Sequence, residues 1–336
     1  MFNKSRKIYN HLQDDLSKEI FLSRCAYSLS GDINTLLPML KYNSESHALY
    51  ELDTGDKDYI FGCGYYGHML MKSKTNNWIG FIDNNHQLQG GTSKDLPIYA
   101  PDDIDLDSRI FIANRYHHDS IYEQLKKIGF RDNQLIDVGS MIEVMASKQY
   151  FDLQEMFHST KEVFVDVGAL NGDTSKLFIK WCNGDFDHIY CFEPDERNID
   201  KCKVNLATEL DNGKVTLIPK GAWNKTGKMS FVQQANGTSM IGDAGEESID
   251  TITIDDALTG KNATFIKMDI EGAEYPALQA AEKVIKNNKP KLAISVYHCP
   301  EDIIRIPELI LNYNPKYRLY LRHYSPFENE TILYAI

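Results

Sequence analysis

Hydrophobic and polar positions fall into two rhythms along this chain. Near the start, Ile8, Leu12, Leu16 and Ile20 recur every four residues and predict an amphipathic helix. A second helix is expected after Gly31-Asp32. From Asp58 onward, short apolar runs alternate with helical patterns. Tyr59-Ile-Phe61, Trp78 to Ile82 and Arg109 to Ile112 read as strands, and His118 to Ile128 reads as an amphipathic helix. Leu135-Ile-Asp-Val-Gly139 reads as a closing strand, because no second glycine and no helix cap follow it. The rhythm then repeats. Val163 to Val167, Ile189 to Phe192, Lys214 to Trp223, Thr264 to Asp269 and Lys291 to His298 are five further strands with helical patterns between them. Tyr317 to His323 and Thr331 to Ala335 close the chain with no helix between, as a hairpin would. Strand–helix repeats followed by a terminal strand pair predict an α/β fold with a seven-stranded, Rossmann-like sheet. A smaller Rossmann-like domain and helices precede it. Boundaries are expected at 1–51 for the helical segment, 52–140 for the smaller domain and 141–336 for the larger one.

Two strand ends carry glycine-bearing turns. In the first, Gly62-Cys-Gly64-Tyr-Tyr-Gly67 is a full GxGxxG, and Asp83 closes the next strand 21 residues beyond Gly62. That spacing suits a phosphate on the turn and a ribose on the acid, so Gly62, Gly64, Gly67 and Asp83 form a possible second nucleotide site. Glycines kept only for packing explain the motif equally well. Tyr122 and Lys126 have the Tyr-x-x-x-Lys spacing of short-chain dehydrogenases, but their helix is rich in Glu, Gln and Lys and reads as a solvated face.

The second turn is richer in chemistry. Asp166 stands near the end of its strand, Gly168 and Gly172 bracket the turn, and Asp173 and Thr174 are N-cap-type residues opening the helical pattern of Leu177, Phe178 and Trp181. An acid in the first helical turn would repel a pyrophosphate. A ligand carrying a sulfonium and an amino group suits Asp166 and Asp173 better, and Glu193, 25 residues beyond Gly168, is placed to grip a ribose diol. This points to S-adenosylmethionine held by Asp166, Gly168, Ala169, Asn171, Gly172, Asp173, Thr174, Glu193, Pro194 and Asp269, with Ala222 and Trp223 against the adenine. The fourth strand delivers Lys267, Asp269, Glu271 and Glu274 around Gly272. Glu274 reads as an acid favoured at a helix start. His298 ends the fifth strand and is the first choice for a general base, since imidazole titrates near neutrality; Asp269 or Glu271 is the second. Lys267, His323 and the glycine-rich loop residues Asn236, Thr238 and Ser239 are candidates for holding an acceptor. Ligands so scattered give no expectation of a metal.

The later half resembles the FkbM-type methyltransferases. The resemblance rests on Phe164-Val-Asp-Val-Gly-Ala-Leu-Asn-Gly-Asp-Thr174, Phe192-Glu-Pro194, Ile252-Thr-Ile-Asp-Asp256, Ile266-Lys-Met-Asp-Ile-Glu-Gly-Ala-Glu274, Ile294-Ser-Val-Tyr-His298 and Glu330-Thr-Ile-Leu-Tyr-Ala335. These segments follow in order over residues 149 to 336. The resemblance implies a methyltransferase that uses S-adenosylmethionine on hydroxyls of glycans or secondary metabolites, such as a sugar of a polysaccharide. Two other classes stay open: a nicotinamide-dependent nucleotide-sugar oxidoreductase or epimerase using the first GxGxxG, and a non-catalytic nucleotide-sugar binding protein.

Composition narrows the partners. A chain of 336 residues with 42% hydrophobic and 25% charged residues suits about two globular domains. The net charge of −12 argues against nucleic acid, whose affinity rests on clustered Lys and Arg. No apolar stretch approaches the ~20 residues of a membrane span. Six scattered cysteines fit reduced thiols in a cytoplasm. The N-terminal helices offer a surface for a second copy of the chain.

Overall fold

A computed structural model describes residues 2–74, 76–233, 239–241 and 247–336. The candidates Asn236 and Thr238, and the side chain of Ser239, lie outside the described residues. The chain divides into two compact units. One comprises Met1–Phe21, Tyr150–Arg322 and Glu330–Ile336; the other comprises Leu22–Gln149 and His323–Asn329.

The first unit is built on a seven-stranded sheet: β1 (Glu162–Val167), β2 (Phe186–Phe192), β3 (Val215–Ile218), β4 (Phe265–Met268), β5 (Lys291–Ser295), β6 (Leu319–His323) and β7 (Thr331–Ala335). Their order across the sheet is β6-β7-β5-β4-β1-β2-β3. Strands β3 to β5 through β1 are parallel, and β7 enters antiparallel to β5. All six residues of β1 are buried, as expected of a parallel strand with helices on both faces. Phe164 of β1 stacks on Phe178 of the following helix at 4.3 Å, and Phe265 of β4 meets Phe164 edge-on at 5.2 Å. The strand order reverses direction between β1 and β4, and the crevice beyond their carboxyl ends is where ligands bind in such sheets.

Between β3 and β4 the chain makes a separate four-stranded sheet in the order 221–222, 247–252, 227–233, 239–241. The third predicted strand is therefore split: Val215–Ile218 joins the main sheet, and Gly221–Ala222 joins the smaller one.

The helix expected over Ile8 to Ile20 is two helices, Phe2–His11 and Asp15–Ser30. Between them Leu12 bridges in parallel to Leu319 of β6, and Gln13 N–H donates to the Leu319 carbonyl at 3.1 Å. Asp14 restarts the helix by accepting from Ser17 N–H at 2.7 Å and pairs with Arg322 at 2.7 Å. Ser17 Oγ accepts from Leu321 N–H at 2.8 Å. Strand β6 is the sheet edge, and this segment satisfies part of its backbone. Among the described residues, no helix is long and apolar enough to cross a membrane.

The second unit holds a six-stranded sheet in the order 92–93, 96–99, 78–82, 58–61, 109–112, 135–136. Its core includes Phe61, Ile82, Ile110, Ile112 and Leu125. Buried Asp58 takes both ends of the Arg109 guanidinium, each contact at 2.7 Å. The reading of residues 135–139 as a strand alone is corrected. The strand is only Leu135–Ile136, and Asp137 caps a helix over Val138–Lys148 by accepting from Ser140 N–H at 2.8 Å. Tyr122 and Lys126 both reach Asp132, at 2.9 and 2.7 Å, as part of an exposed polar face.

Candidate active site

The turn after β1 is fixed by backbone geometry. Gly168 has φ +85°, and a Cβ there would sit 2.0 Å from the Asp269 carbonyl oxygen. Only glycine lets the turn lie so closely on the end of β4. The amides of Gly168 and Ala169 both donate to the Phe192 carbonyl of β2 at 3.0 Å. The helix Asp173–Trp181 starts at Gly172, which is left-handed at φ +84° and gives no side-chain cap. The expected capping by Asp173 or Thr174 is thus replaced by a glycine, and Asn171 Oδ1 accepts from Asp173 N–H at 3.2 Å. Asp173 is exposed and Thr174 half-buried.

Asp166 is completely buried behind this turn. Its Oδ2 accepts from Ser175 Oγ at 2.8 Å and its Oδ1 pairs with Lys267 Nζ at 3.1 Å. Lys267 donates further to the Gly168 carbonyl at 2.6 Å and is itself buried. Burial opposes a charge on Lys267, but Asp166 and then Asp269 outweigh it and raise its pKa. The pair ties β1, β4 and the turn together. Asp166 and Lys267 therefore set the turn's shape from beneath it; neither presents a charge to solvent. Ser175, not singled out from the sequence, belongs to this group.

Glu193, at the end of β2, has each oxygen oriented by one backbone donor. Leu170 N–H reaches Oε2 and Asp195 N–H reaches Oε1, both at 2.9 Å. A side-chain bond from Asn198 takes a third of the carboxylate's roughly four lone-pair sites, leaving about one for a ligand. Burial raises its pKa above the ordinary carboxylate value. Beside it a cavity of about 640 Å³ is lined by Pro194, Asp195, Arg197, Pro219, Lys228 and Asp250 among others. Ala222 is buried and Trp223 half-buried, its N–H bonded to the Ile252 carbonyl at 3.1 Å.

The ends of β4 and β5 bring an acid-ringed histidine together. His298 Nδ1 lies 2.9 Å from Glu274 Oε1, and Nε2 lies 3.6 Å from Asp269 Oδ1 and 3.5 Å from Glu271 Oε2. Neither ring nitrogen makes a well-aligned hydrogen bond. Burial works against a positive imidazole, but Glu274, Asp269 and Glu271 prevail and raise the His298 pKa to about 10. A pKa so raised favours the protonated imidazole at pH 7. Burial pushes the Asp269 pKa up, but His298, Lys267 and a 2.6 Å bond from Tyr150 Oη outweigh it, leaving the pKa lowered. Glu271, with φ +56° and a side chain 37% exposed, has its pKa raised by burial. Glu274 accepts from Ile270 and Gly272 N–H at 2.8 and 2.9 Å, holding the loop that carries Glu271. Tyr150, bonded to Asp269, gives no signal in the sequence pattern.

His323 ends β6. It belongs to the second unit, is 5% exposed, and its Nε2 is 2.8 Å from the Phe327 carbonyl; burial lowers its pKa to about 3. In the same unit, Gly62 and Gly67 are required by close packing: an added Cβ would meet the Ala113 carbonyl at 2.9 Å and the Gly62 carbonyl at 1.9 Å. Gly64 has open space around it, and Asp83 accepts from Cys63 and Asn85 N–H at 2.9 Å.

The sheet order and the glycine turn define a class I methyltransferase fold. Residues 166–324 match the family described as the Methyltransferase FkbM domain. Among solved structures, the methyltransferase FkbM from Methylobacillus flagellatus KT is 23% identical, with 94% of this chain and 100% of that chain covered and a TM-score of 0.56. Fibrillarin from Aeropyrum pernix, in complex with natively bound S-adenosyl-L-methionine, is 11% identical over 57% of this chain and 74% of its own, with a TM-score of 0.38. The precorrin-6y C5,15-methyltransferase from Geobacter metallireducens GS-15 is 14% identical over 59% and 88%, at 0.35. The first of these supports the fold. No curated protein matches the chain.

Proposed function

We propose that the protein is an S-adenosylmethionine-dependent O-methyltransferase acting on a hydroxyl of a glycan or other sugar-containing molecule. Methyl transfer follows from the domain family. The observation that carries the cofactor is Glu193, whose two oxygens are aimed by Leu170 and Asp195 N–H at the rim of the glycine turn. There it takes the ribose diol, and the cavity beside Pro194 gives the adenine a place next to it. The sulfonium and amino end lies along residues 168–173 towards Asp269. The sugar acceptor comes from the family resemblance, and the net charge of −12 disfavours a nucleic acid.

The acceptor oxygen attacks the sulfonium methyl in line. A carbon–oxygen bond forms, the carbon–sulfur bond breaks, and its electron pair stays on sulfur as S-adenosylhomocysteine. The hydroxyl proton needs an acceptor, a step worth roughly 10²–10⁴ in rate. His298 already holds a proton at neutral pH, so this role passes to Glu271, the most exposed of the three carboxylates, whose raised pKa makes it the better base. His298 instead supplies positive charge beside the forming alkoxide.

Calorimetric titration with S-adenosylmethionine, S-adenosylhomocysteine and NAD tests the reading. Both sulfur ligands are expected to bind, and Glu193→Ala to weaken them. Binding of NAD in preference to both would overturn it in favour of an oxidoreductase.

A further inference from the structure

We propose that Asp269, Glu274 and His298 form a binding site for a hard divalent cation, Mn²⁺ or Mg²⁺, at the carboxyl ends of β4 and β5. One ligand atom from each lies within 4.8 Å of the others. That is about twice a metal–oxygen bond, so one ion can bridge all three once the imidazole turns, since Glu274 and Asp269 flank opposite ring nitrogens. Two independent features separate this cluster from an ordinary patch of acids. The His298 side chain is only 10% exposed, yet neither ring nitrogen has an aligned hydrogen bond. Asp269 Oδ1, on the same side of the cluster, is also buried without a hydrogen bond. Buried polar atoms left this way point to a missing partner.

The second histidine–carboxylate cluster makes the contrast. His118 is bonded at Nδ1 to Asp137 at 3.0 Å and at Nε2 to Glu143 at 2.9 Å, so both ring nitrogens are used. At His298, Nδ1 is ion-paired with Glu274 at 2.9 Å without an aligned hydrogen bond, and Nε2 has no aligned hydrogen bond either.

Oxygen donors favour Mn²⁺ and Mg²⁺, and a single imidazole is compatible with Mn²⁺; the ion takes the place of the His298 proton, because only the neutral ring ligates a metal. Tyr150 Oη, bonded to Asp269 Oδ2 at 2.6 Å, orients that carboxylate so that Oδ1 faces the cluster. The backbone donors of Ile270 and Gly272 fix Glu274 in the same way. Glu271, with Oε2 3.5 Å from His298 Nε2, would take the proton of a hydroxyl bound to the ion. Binding of the ion stands on these residues alone; its use in positioning the acceptor hydroxyl rests on the methyl-transfer reading.

The test is Mn²⁺ titration of the full chain after chelator treatment, followed by electron paramagnetic resonance. One bound ion per chain is expected, with coupling to a single imidazole nitrogen in the pulsed spectrum. Asp269→Asn and His298→Gln are each expected to weaken Mn²⁺ at least about tenfold. Absence of stoichiometric Mn²⁺, absence of nitrogen coupling, or undiminished binding by both variants would overturn the site. The nitrogen signal is read on the native chain, so the test survives a variant that fails to fold. Calorimetry with S-adenosylmethionine on the same preparation separates the two readings. Cofactor bound with Mn²⁺ refused removes the ion alone, and Mn²⁺ bound with cofactor refused supports the ion while removing methyl transfer.

Discussion

At Gly168 a single hydrogen atom decides the geometry of the whole cleft. Gly168→Ala places a methyl 2.0 Å from the Asp269 carbonyl oxygen at a φ that alanine resists. The expected outcome is loss of measurable S-adenosylmethionine binding by calorimetry, with a lower melting temperature. Glu193→Ala removes hydrogen bonds to a charged group, worth about 1.5–3 kcal/mol of cofactor affinity. His298 makes a pH prediction. Its folded pKa, about 10, lies above the ~6.5 of an unfolded histidine, so its contribution to stability is complete below ~6.5 and is lost as pH rises towards 10. The melting temperature of wild type over His298→Gln should therefore fall across that window; a constant difference would refute the charge assignment. Glu193, Asp269, Glu271 and His298 were legible because each stands at a strand end where polarity changes. Ser175 and Tyr150 were not: one is a serine in a helix and the other a tyrosine before the first strand. Only the fold brings them onto Asp166 and Asp269.

At the level of elements, the strand–turn–helix units could be read because period-two and period-3.6 patterns change sharply at Gly168 and Glu193. The buried ion pair between β1 and β4 could not, since nothing in the spacing of Asp166 and Lys267 announces their contact. Lys267→Met strands Asp166 in a dry interior, which costs about 3–5 kcal/mol. Denaturant unfolding should record that loss, whereas a midpoint unchanged from wild type would mean the pair contributes little. The start of the chain misled for a related reason. A four-residue period runs unbroken from Ile8 to Ile20, but the helix gives way at Leu12 because the edge of β6 needs backbone partners.

For the molecule as a whole, the matched domain at 166–324 shares its compact unit with Met1–Phe21. Ile8, Leu12, Ile20 and Phe21 are each no more than 3% exposed. At ~1.5–3 kcal/mol apiece, their loss approaches the 5–15 kcal/mol that holds a typical protein folded. A chain beginning at Leu22 is expected to lose its cooperative thermal transition and to be digested rapidly by protease. Retention of a sharp melt would show that the opening segment is dispensable. The Ser17–Leu321 contact joins residues 304 positions apart, which sets an order of events during synthesis. The ribosome releases Ser17 and its neighbours long before β6 exists, and they wait, with apolar side chains uncovered, until nearly the last strand emerges. Closing so distant a contact is slow, and the interval is when chaperones and proteases have their best access to the nascent protein.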